Sequence, residues 1–414
     1  MTTLIPDADR LQSYLDRFSS ADVGGTPGGG VSRPAASEFD KAARDRFQDT
    51  AEELGTVVRV DDAGNMYARR EGADPFALPV VIGSHLDTVV PGGRFDGILG
   101  VCAALETVAL INDAHARTRR PIEIVNWTGE EGARFAPAMV GSGVVTGAYS
   151  IDFALSRTDA DGISLGSELD KIGYHGDVTN RLRGFFAALE MHIEQGSVLE
   201  DAGLDLGIVT VIQPVRWCSV TVTGRGGHAG GPGPAGRKDA MVAAARMVVA
   251  SREKALRDND FKTTVGRFSI EPGSNNVIPH RAVFNLDVRS ATDDRVDARI
   301  EELRDLFADI AEEEGTEVDL TVDWTMRSAG FSAEIRSLLA ATADAHGASH
   351  TEMRGTIGHD SLHLAQMGPT AMLFTPTRAG RSHCEDEYSP WGPILAATGV
   401  YAETTLHLAD ATSI

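Results

Sequence analysis

Five side chains of metal-binding type stand just beyond apolar runs of the chain: His85, Asp96, Glu131, His192 and His383. The first two lie in VVIGSHLDTVVPGGRFDGILG (80–100), where Val80–Ile82 ends abruptly in Gly83-Ser84-His85-Leu86-Asp87-Thr88. A Pro-Gly-Gly turn leads on to Phe95-Asp96-Gly97 and a segment of helical character. Asp87 is placed to orient His85. Taken alone, a His-x-Asp after a strand is more often a turn with satisfied side chains. The pattern recurs, however. PIEIVNW (121–127) runs into Thr128-Gly129-Glu130-Glu131-Gly132, FFAALEMHIEQG (185–196) delivers His192, and TAMLFTP (370–376) precedes RAGRSHCEDE, which holds His383.

Imidazole and carboxylate without thiolate suit Zn2+ first, and also Mn2+, Co2+ or Ni2+. The adjacent carboxylates of Glu130 and Glu131 repel each other unless cations or protons compensate. By itself that pair reads as the acidic first turn of a helix, favoured by the helix dipole. Beside His85 and Asp96 it reads as metal chemistry. Two ions need a shared ligand, and a carboxylate can bridge; Asp96 is the natural choice. Ions roughly 3.5–4 Å apart polarise a carbonyl and lower the pKa of a bridging water. Glu130 is then free to act as general base and to return the proton to a leaving nitrogen.

Those residues need a scaffold that gathers strand ends, and open α/β sheets bind ligands there. Helices are expected over 6–19, 36–54 and 98–112, with the Gly/Pro-rich loop 24–34 too flexible to pack unaided. A hairpin over 57–70 precedes strands at 79–84 and 121–127. That strand–helix–strand order implies parallel pairing through a right-handed crossover. Residues 150–185 read as mostly helical. From 211 to 326 the character changes. RWCSVTVTG (216–224), TTVGRFSIEPG (263–273) and AVFNLDVRS (282–290) alternate in antiparallel fashion, and VDLTVDW (318–324) closes the stretch. Helices fall at 237–255 and 294–312, the second with Val296, Ile300, Leu303, Phe307 and Ile310 on one face. The fold class is therefore α/β. A catalytic domain (1–210 and 327–414) has a mixed, largely parallel sheet flanked by helices, and an α+β domain of order β-α-β-β-α-β (211–326) is inserted in it.

At 414 residues two domains are the prior. A net charge of −22 argues against nucleic acid or an anionic membrane as partner. Cys102, Cys218 and Cys384 are far apart and form neither a disulfide framework nor a CxxC zinc pattern. The N-terminus reads as an amphipathic helix rather than a signal peptide, and no apolar run approaches a membrane span. A cytoplasmic location is expected.

HLDTV (85–89), GGRFDGILGV (92–101), EEGARF (130–135), HIEQG (192–196), GGHAG (226–230), NVIP (276–279), GHDS (358–361) and SHCEDE (382–387) occur in this order. Together they resemble the M20-type metallopeptidase superfamily, and HIEQG with FDGxxGV narrows the likeness to its amidohydrolase branch. That branch holds N-carbamoyl-L-amino-acid hydrolases, allantoate amidohydrolases and β-ureidopropionases. The resemblance implies one metal on His85, Asp96 and His192, and another on Asp96, Glu131 and His383. It implies Glu130 as base, Asp87 supporting His85, and substrate contacts at Gln195, His228, Asn276, Arg289 and His359. It also implies a homodimer through the inserted domain, with His228 reaching the partner's site, and a small carboxylate-bearing substrate, foremost an N-carbamoyl-L-amino acid. The competing readings are an allantoate amidohydrolase or β-ureidopropionase, after these an N-acyl amino acid or dipeptide hydrolase, and, from a different class, a catalytically dead metal-binding scaffold. The chain departs from the family's usual wording at Gly231-Pro232-Gly233-Pro234, at Arg354-Gly355-Thr356-Ile357 and at Glu385, where proline is common. None of these is a proposed ligand.

Overall fold

The computed structural model describes residues 3–414, which divide into two compact units: the chain up to Val211 together with Gly330–Ile414, and Ile212–Ala329. The first unit carries a nine-stranded sheet with its neighbouring strands in the order Val57–Val60, Met66–Arg70, Ile122–Trp127, Val80–His85, Ala187–Ile193, Thr370–Thr375, Leu206–Ile212 and Ala329–Gly330, with His350–Gly355 also on Leu206–Ile212. The strands from Ile122–Trp127 to Thr370–Thr375 pair parallel, and those flanking them pair antiparallel. All residues of the parallel strands are buried. This is why they read as continuous apolar runs rather than alternating ones.

Helix Ile98–Asp113 is buried from Ile98 to Ile111, so it is apolar all round instead of amphipathic. Each large aliphatic side chain it buries contributes about 1.5–3 kcal/mol. Helix Trp391–Asp410 packs beside it, and its Tyr401 hydroxyl donates to Leu189 O (3.0 Å) and accepts from Gly83 N (3.0 Å). Two strands that end at the candidate ligands are thus tied to one side chain.

The loop 24–34 is pinned, which its glycines did not foretell. Val31 and Gly92 exchange main-chain hydrogen bonds (2.9 and 3.1 Å), and Thr26 Oγ1 donates to Glu385 at 2.5 Å. The fully buried Arg33 guanidinium donates to the carbonyls of Leu86, Phe18 and Val23. Residues 150–185 hold less helix than expected, only Ile151–Leu155, Leu165–Ile172 and a 3-10 turn at Val178–Asn180. Each α-helix is stopped within two turns, the second by Gly173 in a left-handed conformation.

In the second unit, an antiparallel sheet orders Phe268–Glu271, Arg281–Arg289, Val215–Thr223 and Glu317–Met326, with Lys262–Thr264 also on Arg281–Arg289. Helices Ala240–Ala255 and Asp293–Glu314 cover one face. Ala282, Phe284, Leu286 and Val288 point into that core, and their neighbours point away, as the alternation implies. The single strand expected over 263–273 is broken in two. Asn285 Oδ1 accepts the main-chain N–H groups of Gly266 (3.0 Å) and Arg267 (2.5 Å), so a side chain replaces the ladder there.

Candidate metal centre

The parallel register sets His85 opposite Trp127 and His192 opposite Phe374. The carboxyl ends of the four central strands therefore lie at one end of the sheet. Asp96 reaches the same place through the turn before helix Ile98–Asp113. Gly97 makes that turn possible. It has φ +67°, and a Cβ there would lie 2.4 Å from the His85 ring.

Two groups of donors gather, His85 with Asp96 and His192, and Asp96 with Glu131 and His383. Asp96 belongs to both. Its Oδ1 is 3.0 Å from His192 Nε2 and 3.6 Å from His85 Nε2, and its Oδ2 is 3.1 Å from His383 Nε2. His383 Nε2 is also 3.3 Å from Glu131 Oε2. The tautomers follow from the partners. His85 Nδ1 lies 2.9 Å from Asp87 O and His192 Nδ1 2.9 Å from Ile193 O, and carbonyls only accept. Each Nδ1 therefore carries the proton, leaving the Nε2 lone pairs aimed at Asp96. Gly97 N–H donates to His192 Nε2 (3.1 Å), consistent with that assignment. His85 Nε2 is buried with no hydrogen-bond partner. A lone pair facing a carboxylate is repulsive unless a cation lies between, so the residues fit divalent metal.

Without a cation between them, the same carboxylates instead draw protons onto the imidazoles. Burial depresses the His85 imidazole, but Glu130, Asp96 and Asp87 outweigh it and hold its pKa well above the ordinary value. Burial raises Asp96, yet its histidine partners hold it well below the usual carboxylate range. Burial and then Asp96 push Glu131 up to about 8. The hydrogen bond to Asp96 is the largest influence on His383 and raises it to about 9. So many charges concentrated in one buried spot mark a functional site.

Glu130 belongs to neither donor group. Its Oε2 is 3.5 Å from His85 Nε2 and its Oε1 3.7 Å from His359 Nδ1. Burial, then the carboxylates of Asp360 and Glu131, raise its pKa well above the usual range. That is the environment a proton-transferring carboxylate needs at neutral pH. Asp87 meets His85 through its main-chain carbonyl, with its carboxylate 4.0 Å away. The carboxylate itself accepts the N–H groups of Glu130 and Glu131 (3.3 Å each), and so fixes the turn that presents both.

The remaining expected residues divide between the units. Gln195 Nε2 donates to Asp96 Oδ2 (2.8 Å) and Ser382 Oγ (3.1 Å). His359 is buried, packs against His192 with ring centroids 4.2 Å apart and planes tilted by 49°, and has no hydrogen-bond partner at either ring nitrogen. In the second unit, His228 lies on the short strand Gly227–His228, paired with Val277–Ile278, and is exposed. Asn276 is also exposed, and its carbonyl accepts from Ala229 N (2.9 Å). Arg289 forms a two-pronged ion pair with Asp287 (2.8 and 2.9 Å). Sequence reasoning missed two buried acids beside the centre. Glu190 joins Ser84 Oγ (2.8 Å) to Ser361 Oγ (2.5 Å), and Glu387 accepts from the Asp96 turn. A glutamate inside the apolar strand AALEMHI was an available signal for the first.

Fold and donor set together define a metal-dependent hydrolase, and the chain belongs to peptidase family M20/M25/M40, whose sequence model matches residues 81–407. Among its relatives, an N-carbamoyl-L-amino-acid amidohydrolase of Rhizobium meliloti is 37% identical over 92% of this chain and 91% of its own. An allantoate amidohydrolase of Bacillus subtilis is 33% identical over 89% and 90%. The crystal structure of a hydantoinase/carbamoylase family amidase from Burkholderia multivorans superposes with a TM-score of 0.92 at 40% identity, covering 100% of both chains. No helix of the described residues is long and apolar enough to cross a membrane.

Proposed function

We propose that the chain hydrolyses the C–N bond joining the carbamoyl carbon to the amino-acid nitrogen of an N-carbamoyl-L-amino acid. The observation that carries this reading is two ligand groups sharing Asp96 beside an acid, Glu130, that belongs to neither. Two divalent ions, Zn2+ first and Mn2+, Co2+ or Ni2+ as alternatives, held by His85, Asp96 and His192 and by Asp96, Glu131 and His383, would polarise the substrate carbonyl and acidify water. Glu130 takes the water proton on its carboxylate and hands it to the leaving amino-acid nitrogen. The carbamate set free then breaks down to ammonia and CO2. Asp87 holds the Glu130–Glu131 turn in place for both proton transfers.

Burial of Glu130 keeps bulk water from competing for its proton. His359, whose ring nitrogens have no hydrogen-bond partner and whose Nδ1 lies 3.7 Å from Glu130 Oε1, is placed to meet the substrate. Arg289 takes the substrate carboxylate in a bidentate pair. For that it must exchange its bond to Asp287, whose Oδ2 keeps the Trp217 indole N–H (2.9 Å) as a partner. Gln195, Asn276 and His228 complete the substrate contacts, and two copies associate through the second unit so that His228 serves its neighbour's site. Three cysteines without a disulfide suit a reducing, cytoplasmic setting.

The family's range of ureido substrates calls for a panel: N-carbamoyl-L- and D-amino acids, allantoate, N-carbamoyl-β-alanine and N-acetyl amino acids, assayed for ammonia and for acyl release. Ammonia from an N-carbamoyl-L-amino acid at the highest kcat/KM is the expected result. A clear preference for allantoate or an N-acetyl amino acid would replace the proposed substrate.

A further inference from the structure

We propose that Glu387 is a positioning residue that binds the Asp96 turn and the Ser382–His383 loop into one hydrogen-bonded unit, and so sets the spacing of the ligands; this rests on the metal reading above. Glu387 is 4% exposed. Its Oε1 accepts the main-chain N–H groups of Phe95 (2.9 Å) and Asp96 (3.1 Å). Its Oε2 lies 2.7 Å from Ser382 Oγ, which is also 3.0 Å from Asp96 Oδ2. The serine hydroxyl has a single proton and shares it between the two carboxylates. One side chain thus holds the backbone of the shared ligand and, next to His383, the Ser382 hydroxyl that touches that ligand's carboxylate.

The chain makes room for this contact at Gly93. A Cβ there would lie 1.9 Å from Glu387 Oε1, far inside van der Waals contact. The second glycine of the Pro-Gly-Gly turn is therefore required by the approach of the carboxylate. Groups that orient metal ligands are worth about 10–100-fold in metal affinity or activity.

The geometry separates hydrogen bonding from charge. In Glu387→Gln the amide oxygen can keep both main-chain N–H groups, and its NH2 can donate to Ser382 Oγ, freeing the hydroxyl proton for Asp96. In Glu387→Ala every one of these bonds is lost. Gly93→Ala should resemble Glu387→Ala. Glu106→Gln serves as a control for loss of a buried ion pair, because Glu106 pairs with Arg10 (2.6 Å) and touches no ligand.

The test is metal retention against a graded chelator, read by elemental analysis on purified full-length variants, with kcat and KM alongside. Glu387→Ala and Gly93→Ala are expected to lose metal at 10–100-fold lower chelator strength, with kcat falling and KM little changed. Glu387→Gln is expected within about threefold of the parent, and Glu106→Gln is expected to lower thermal stability without changing retention. Metal retention by Glu387→Ala equal to that of Glu106→Gln overturns the inference, as does Glu387→Gln failing as badly as Glu387→Ala. If the parent binds metal and Glu387→Ala sheds it, while no substrate is turned over, the reaction assignment fails and the positioning role stands.

Discussion

Glu130→Gln is expected to lower kcat by about 10²–10⁴-fold, the range attributable to a positioned general acid–base, while the protein keeps its metal. Glutamine is the same size and keeps a carbonyl oxygen near His85 and His359, so the neighbouring ligands stay where they are. What it loses is a site that accepts a proton from water and gives it back to nitrogen. KM should move little, because Glu130 acts on the water and the leaving group rather than on substrate binding. The burial that raises its pKa also means no bulk carboxylate can substitute. Steady-state kinetics with metal analysis on the same sample checks this. Near-normal turnover in the metal-loaded variant would remove Glu130 from the proton pathway.

Asp96→Asn is expected to abolish activity by a different route, through loss of metal. Asp96 is the single member common to both ligand groups, with one oxygen toward His85 and His192 and the other toward His383. An amide offers one neutral oxygen in place of two charged ones, and its NH2 would face a histidine nitrogen or the ion itself. Both sites weaken together. The ions supply several kcal/mol of transition-state stabilisation, and each 1.36 kcal/mol is tenfold in rate, so a loss of at least about 10³-fold follows. His383→Ala touches only one group and should leave one ion behind. Elemental analysis showing two retained ions in Asp96→Asn would contradict the shared role of Asp96.

Much of the centre was legible because the sheet is parallel and buried. Buried strands read as unbroken apolar runs, so the polar residues that end or follow them stand out, as at His85, Glu130, His192 and, eight residues past its strand, His383. Asp96 was harder, since it follows its strand by eleven residues and is delivered by a turn. It became visible through Phe95-Asp96-Gly97, where the glycine lets the turn approach His85. Residues that act from behind were hidden. Glu387 sits in the acidic run Cys384-Glu385-Asp386-Glu387, which reads as a solvated surface, yet folding buries it against Phe95 and Asp96, some 290 positions earlier. Nothing local in such a run tells which acid turns inward. The broken strand at 263–273 was illegible for a similar reason, because its interruption depends on Asn285, a side chain on the neighbouring strand. Likewise, the loop at 24–34 is ordered by Glu385, Gly92 and the carbonyls that accept from Arg33, partners that only the tertiary fold supplies.

Dependence of C–N hydrolysis on two ions held through Asp96 is tested by stripping the protein with a chelator, titrating back a divalent ion, Zn2+ or Mn2+, and following ammonia released from an N-carbamoyl-L-amino acid. Activity should be absent in the stripped protein and reach its plateau at two equivalents of metal per chain. Full turnover by the stripped protein, or a plateau at one equivalent, would contradict the account.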